Sequence, residues 1–138
     1  MNYNELIQLF FERANAMQAY WNLYVIIVGG LLAFSSLRKQ PAAITTAIVS
    51  ILFVLFAYKN LDAMCDVTAQ RFATLQAIKQ FDTGGTVTPS SKQVRDVIEP
   101  TLTAATYGSV RATHVTSDIL TIAALWAMEL RRRKLRGF

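Results

Sequence analysis

Charged residues are scarce in this sequence: they make up 17% of its 138 residues, where about a quarter is usual. They are missing altogether from 14–37 and 40–58, which contain 24 and 19 residues. Each stretch is close to the roughly 20 apolar residues that a membrane-spanning helix needs. With 53% hydrophobic residues and a mean hydropathy of +0.30, the composition argues against an ordinary soluble domain.

Residues that carry chemistry are also few. A single cysteine, Cys65, excludes an intramolecular disulfide and a multi-cysteine metal site. The one histidine, His114, has no second histidine, cysteine pair or acidic cluster near it in sequence. Gly84-Gly85 lacks the Gly-Lys-Ser/Thr of a phosphate-binding loop, and no nucleophile elbow, Ser-His-Asp order or paired-carboxylate signature stands out. We therefore expect no enzyme activity, no cofactor and no metal.

Apolar periodicity predicts two long helices. A seam with spacings of three and four runs from Tyr3 to Val28 and predicts one helix over 3–37, with a membrane span over about 19–37. Its first half is amphipathic and acidic, which is not the basic start of a signal peptide. Pro41 suits the first turn of a second helix, predicted over 42–81 with a span over about 42–58. The core stripe predicted beyond that span is Leu61, Cys65, Thr68, Phe72 and Leu75.

The remainder of the chain predicts a loop, a short helix and a third long helix. The loop is expected over 82–90 and the short helix over 91–99, before Pro100. A helix over 101–136 has a possible third span over about 113–130, although its uncharged core is only ten residues long. The predicted fold is thus an all-α integral membrane protein of one domain, 1–138. It has a long antiparallel transmembrane helical hairpin, a third long C-terminal helix and an amphipathic half-bundle outside the membrane.

The basic residues favour one orientation. Seven of them are expected at one end of the three helices, together with Glu129: Arg38, Lys39, Arg131, Arg132, Arg133, Lys134 and Arg136. This end then carries +6 and leaves −1 for the rest of a chain whose net charge is +5. By the positive-inside rule the N-terminus lies outside and the C-terminus in the cytoplasm, as a multi-pass protein of the bacterial inner membrane.

A two-span arrangement stays open, with the Arg38-Lys39 corner outside and residues 59–138 in the cytoplasm. Three spans are preferred because three helices with matched polar and apolar halves can bury one another's stripes. Three spans, an outside N-terminus and a basic cytoplasmic tail are similar to the topology of small phage holins. The long polar half-bundle departs from that pattern, so no residue role is carried over.

Two sets of residues are candidates for function. Arg111, His114 and Asp118 share a helical face near the membrane boundary, either as a proton-relay or gating face or as a structural hydrogen-bonded set. Small residues at helical spacing form candidate helix-packing faces: Gly29, Gly30, Ala33, Ala43, Ala47, Ser50, Ala123 and Ala127. The basic residues named above are expected to orient the helices and to contact anionic lipid.

The expected function is a small non-enzymatic membrane protein that self-associates into a homo-oligomer, which can be pore- or channel-forming. One alternative is an accessory or anchoring subunit of a larger membrane complex. Another is a two-span membrane-anchored effector with a cytoplasmic helical domain, and a third is a membrane enzyme that uses His114 and Asp118. Membrane lipid and further copies of the chain are the expected partners, and no nucleic acid is expected.

Overall fold

The computed structural model describes residues 1–81 and 89–137. Within these ranges the chain forms helices and no strand, so the all-α prediction is confirmed. The helices are α1 (Tyr3–Leu37), α2 (Ala43–Lys79), α3 (Pro89–Ile98) and α4 (Tyr107–Arg136), with a 3₁₀ turn over Glu99–Thr101. Most of the predicted loop over 82–90 lies outside the described residues.

The first helix begins at a reciprocal cap. The Asn2 side chain accepts a hydrogen bond from the backbone N–H of Glu5 at 2.9 Å, and the Glu5 carboxylate accepts from the N–H of Asn2 at 2.8 Å. From there α1 continues for 35 residues and ends where Arg38 adopts an extended backbone. At 1.5 Å per residue it is roughly 52 Å long, well over the roughly 30 Å of a bilayer's hydrocarbon core.

The fourth helix starts later than the sequence predicts. Its predicted start at 101 is wrong, because the 3₁₀ turn that contains Pro100 ends the preceding segment and α4 begins only at Tyr107. The Thr106 side chain caps it by accepting from the N–H of Ser109 at 3.2 Å. At the other end Gly137 adopts φ 74°, and its N–H bonds to the carbonyl of Arg133. A left-handed glycine of this kind is a common helix stop.

The three long helices pack as one bundle in which α2 is antiparallel to both α1 and α4. Arg13 contacts Gln70, and Asn60 contacts His114, so high numbers on α2 meet low numbers on its neighbours. The core consists of three buried clusters, stacked along the bundle. They contain Leu6, Phe10, Leu75, Ile78 and Leu102 in the first, Met17, Met64, Val67 and Val110 in the second, and Tyr24, Phe53 and Ala57 in the third.

The buried face of α2 differs from the predicted stripe. Thr68 and Leu75 are buried as predicted, whereas Phe72 is 36% exposed. Met64 and Ile78, which lie off that stripe, are fully buried. Leu61 and Cys65 are half-buried. The physical reason is that α2 packs against both α1 and α4. Its buried face is therefore wider than a stripe that meets a single helix, and the centre of that face is shifted away from the predicted stripe.

The end of the bundle that carries the chain's N-terminus is fixed by polar contacts. The Tyr3 hydroxyl donates to Glu99 at 3.0 Å, and Arg71 donates to the carbonyl of Thr103 at 3.0 Å. Burial and the Glu99 carboxylate raise the pKa of Tyr3, which keeps its hydroxyl a neutral donor. These contacts attach the chain between α3 and α4 to the first two helices.

Two helices, α1 and α2, are each long and apolar enough to cross a membrane; in the ranges that the structure describes, α4 does not pass the same test. Large apolar side chains are exposed over 23–37, 44–58 and 115–130, which lie at one height on the three helices. This apolar belt consists of Leu23, Val25, Ile26, Phe34 and Leu37 on α1, Ile44, Ile48, Ile51, Leu52, Val54, Leu55 and Tyr58 on α2, and Val115, Ile119, Leu120 and Leu130 on α4. A third span stays a prediction.

Candidate functional site

A buried polar cluster of Tyr24, Asn60, His114 and Asp118 joins all three long helices. His114 is fully buried, and its Nδ1 lies 2.9 Å from Oδ2 of Asp118, one turn further along α4. The hydroxyl of Tyr24 on α1 donates to Oδ1 of the same carboxylate at 2.8 Å. The amide nitrogen of Asn60 on α2 lies 3.2 Å from Nε2 of His114. Each ring nitrogen and each carboxylate oxygen therefore has a partner.

Asn60 lies between the imidazole and a methionine sulfur. Its amide nitrogen has two donors, which are directed at Sδ of Met64, 3.3 Å away, and at Nε2 of His114. In the tautomer that matches an Asn60 donor at Nε2, Nδ1–H donates to the Asp118 carboxylate.

Aromatic rings enclose the imidazole. The ring of Tyr24 has its centroid 4.4 Å from that of His114, and the ring of Trp21 lies 5.9 Å away. These rings remove the histidine from solvent, which strengthens its hydrogen bonds and makes an unpaired neighbour costly. The polar cluster can hold three helices in register, and it also puts a titratable imidazole beside a carboxylate.

The structure brings together only part of the predicted polar face. His114 and Asp118 are in contact, whereas Arg111 is exposed and lies outside the cluster. Asn60 and Tyr24 were not predicted as members. Asn60 has a signal in the sequence, since it lies between an apolar span and an amphipathic stretch. Tyr24 lies within the apolar seam from Tyr3 to Val28, which by itself gives no sign of a polar partner.

At the opposite end of the apolar belt, a buried carboxylate is surrounded by arginines. Glu129 has no exposed side-chain surface, and its Oε2 lies 3.2 Å from Arg132 Nη2 and 3.6 Å from Arg38 Nη2. Its Oε1 accepts from Nε of Arg133 at 3.4 Å. Thr46 on α2 lies 3.3 Å from Oε2 as well. Three guanidinium groups thus compensate one buried charge.

The same end contains the remaining predicted basic residues. Arg132 donates to the carbonyl of Ser35 on α1, and Arg136 donates to the carbonyl of Lys39 at 3.4 Å. The hairpin corner and the end of α4 therefore meet in one basic end. Lys39, Arg131 and Lys134 are exposed there. Glu129, counted in the sequence only as a charge, is the residue around which this end is arranged.

The small residues divide into two groups. Ser50 is buried, and Ala43 and Ala47 are half-buried, in the contact of α2 with its neighbours. Five others are exposed: Gly29, Gly30 and Ala33 on α1, and Ala123 and Ala127 on α4. A Cβ added at Gly29 or Gly30 would meet nothing within 4 Å. Within the described residues, Gly29 and Gly30 therefore face open space.

Over the described ranges, no group of three or more His, Cys, Asp or Glu side chains is placed to hold a metal ion. Comparisons of the chain with protein-family models, with curated proteins and with solved structures find no match.

Proposed function

We propose that this chain is a three-span integral membrane protein that self-associates through the exposed small-residue face of α1. The observation that carries the proposal is the position of Gly29, Gly30 and Ala33, which lie exposed at the height of the apolar belt. Cytoplasmic-membrane localisation, with the basic end in the cytoplasm, is part of this proposal.

The apolar belt supports insertion in a membrane. Ile26 is 69% exposed, Ile51 61% and Ile119 63%, although all three are large and apolar. A monomeric soluble protein rarely exposes a continuous apolar surface of this extent, and here it surrounds the bundle. Fifteen helical residues give a height of about 22 Å, which flanking tyrosines and snorkelling arginines extend toward the roughly 30 Å of a bilayer core.

The position of α4 supports three spans over two. Contacts of Arg132 with Ser35 and of Arg136 with Lys39 join the end of α4 to the hairpin corner. If α1 and α2 cross a bilayer at the height of the apolar belt, α4 crosses it as well. In the two-span arrangement the corner lies outside and the end of α4 in the cytoplasm, so those contacts would have to be absent.

Cysteine labelling separates the two arrangements. In a Cys65→Ala background, the exposed residues Gln93 and Lys39 are changed to cysteine one at a time and intact cells are treated with a membrane-impermeant thiol reagent. Three spans with the basic end inside predict labelling at Gln93→Cys and none at Lys39→Cys until the cells are lysed. The two-span arrangement predicts the reverse, and labelling of both positions in intact cells would contradict both.

The exposed small residues of α1 favour self-association because of how helices pack in lipid. Lipid tails are as apolar as the helices, so helices associate in a bilayer where small residues let their backbones approach closely. Gly29 and Ala33 are four residues apart, the small-xxx-small spacing of such contacts, and Ile26 on the same exposed face can pack beside them. Since no described atom lies within 4 Å of a Cβ at Gly29 or Gly30, this face can meet the same face of a second copy.

We expect Gly29→Leu to weaken self-association at least tenfold without destabilising the single chain. The leucine side chain prevents close approach between copies, whereas a Cβ at this position meets no described atom of its own copy within 4 Å. Within a helix, replacing glycine by leucine even removes a penalty of up to about 1 kcal/mol. The association constant is measured by energy transfer between labelled copies in liposomes, and the melting temperature is measured on the same protein in detergent.

Val54→Leu is the matched control, because Val54 is exposed in the apolar belt but belongs to α2 and so lies off the small-residue face of α1. It is expected to associate like the parent. Equal association of parent, control and Gly29→Leu would remove this face from the proposal. If the parent chain stays monomeric in liposomes, the accessory-subunit alternative replaces self-association. Ion flux through the same liposomes tests pore formation, which would have to occur between copies because side chains fill the bundle core.

A further inference from the structure

We propose that a cavity at the basic end binds the phosphate headgroup of an anionic phospholipid. The cavity has a volume of about 450 Å³ and is lined by Gln40, Pro41, Arg133 and Arg136. Two of its four lining residues are arginines from successive turns of α4, whose planar guanidinium groups match the oxygens of a phosphate.

The basic end carries more positive charge than its buried carboxylate balances. The buried carboxylate at this end, Glu129, is already paired with Arg38 and Arg132, whose side chains are only 15% and 11% exposed. Arg133 reaches Glu129 through Nε, and 44% of its side chain remains exposed toward the cavity side. Arg136 contributes a second exposed guanidinium. The cavity is therefore lined by positive charge that the fold does not neutralise.

The start of α2 adds to this field. Pro41 lines the cavity one residue before Ala42, the N-cap of α2, and Ala42 makes no side-chain cap. The first turn of a helix presents N–H groups and a partial positive charge, which favour an anion nearby. The start of α2 and the two arginines therefore both favour an anion in this cavity.

Neighbouring apolar side chains favour a lipid over a free anion. Leu37 and Ile44, which flank the hairpin corner, are 79% and 78% exposed, and Leu130 is 60% exposed one turn before Arg133. A headgroup in the cavity would have its acyl chains along this part of the apolar belt. This inference rests on the proposed membrane placement, which puts the basic end at the headgroup layer.

The test uses the full chain in detergent and counts bound lipid by native mass spectrometry. Dioleoyl phosphatidylglycerol is expected to bind at least tenfold more tightly than dioleoyl phosphatidylcholine. The double variant Arg133→Gln/Arg136→Gln should lose at least tenfold of the phosphatidylglycerol affinity. Arg131→Gln/Lys134→Gln removes the same charge from exposed residues that do not line the cavity, and it should lose less than threefold.

Equal losses in the two double variants would overturn the cavity and leave only diffuse attraction by the basic end. Arg136→Gln alone, which leaves the contact of Arg133 with Glu129 intact, should still lose severalfold if the cavity is the site. Competition by millimolar inorganic phosphate would assign the cavity to a free anion instead of a lipid. Cysteine labelling tests membrane placement, and energy transfer tests association. Each can therefore contradict the proposed function separately from the mass-spectrometry result, which tests lipid binding.

Discussion

Replacing Glu129 by leucine is expected to lower the free energy of unfolding by about 3 kcal/mol. The substitution leaves Arg38 and Arg132 facing each other at the bundle end without the carboxylate that both contact, and these two side chains are only 15% and 11% exposed. Removing one side of a buried ion pair costs about 3 to 5 kcal/mol. The lower end of that range applies because the third partner, Arg133, is 44% exposed and can turn to water.

Two further variants identify the cause. Glu129→Gln keeps an acceptor for one arginine and should be destabilised by less than the leucine variant. Glu129→Leu combined with Arg132→Leu should recover part of the loss, because the second change removes one of the charges left unpaired. Melting temperature and urea or guanidinium denaturation of the purified chain supply the measurement. A leucine variant as stable as the parent would mean that the arginines are solvated and that Glu129 does not organise the basic end.

The second large effect is expected at Asp118. Its carboxylate accepts from both Tyr24 and His114, so Asp118→Leu leaves two buried donors without an acceptor. A buried donor that loses its partner costs about 1 to 3 kcal/mol, and two of them predict a loss of about 2 to 6 kcal/mol. Asp118→Asn retains one carbonyl acceptor at the same place and should lose clearly less.

The same pair of variants tests the proton-relay hypothesis for the polar cluster. A structural role predicts that any change in proton flux follows the change in stability. Asp118→Asn should then have a slightly lower melting temperature than the parent and otherwise behave like it. A relay predicts that Asp118→Asn keeps its melting temperature but abolishes proton flux in liposomes, because an amide does not titrate. Arg111→Gln is the control, since Arg111 is exposed and outside the cluster. If both Asp118 variants match the parent in melting and in flux, the cluster has neither role.

Much of the helical framework could be predicted because its causes are local. The alternation of three and four from Tyr3 to Val28 depends only on residues along one helix, and Phe10, Met17 and Tyr24 from that seam are indeed buried. The absence of charge over 14–37 and 40–58 likewise identifies the apolar stretches, and it does so without information on contacts with other helices.

What could not be predicted depends on contacts between helices. Whether Met64 or Leu61 faces the core is decided by the angle at which α1 and α4 approach α2, and no pattern within α2 contains that angle. For the same reason Asn60 could not be paired with His114 from sequence, 54 residues away. Arg111 lies three residues before His114 on α4, yet only part of that face is covered, and the arginine falls outside it.

The length of α1 and α2 has a mechanical consequence. Each helix continues from the half-bundle into the apolar belt without a proline, and α2 also lacks glycine. Gly29-Gly30, on the belt side of the polar cluster, is the one place in either helix where bending is cheap. Between Tyr3 and the polar cluster, α1 and α2 therefore contain no helix-breaking residue, and we expect any bend of α1 to occur at Gly29-Gly30, on the side of the arginines.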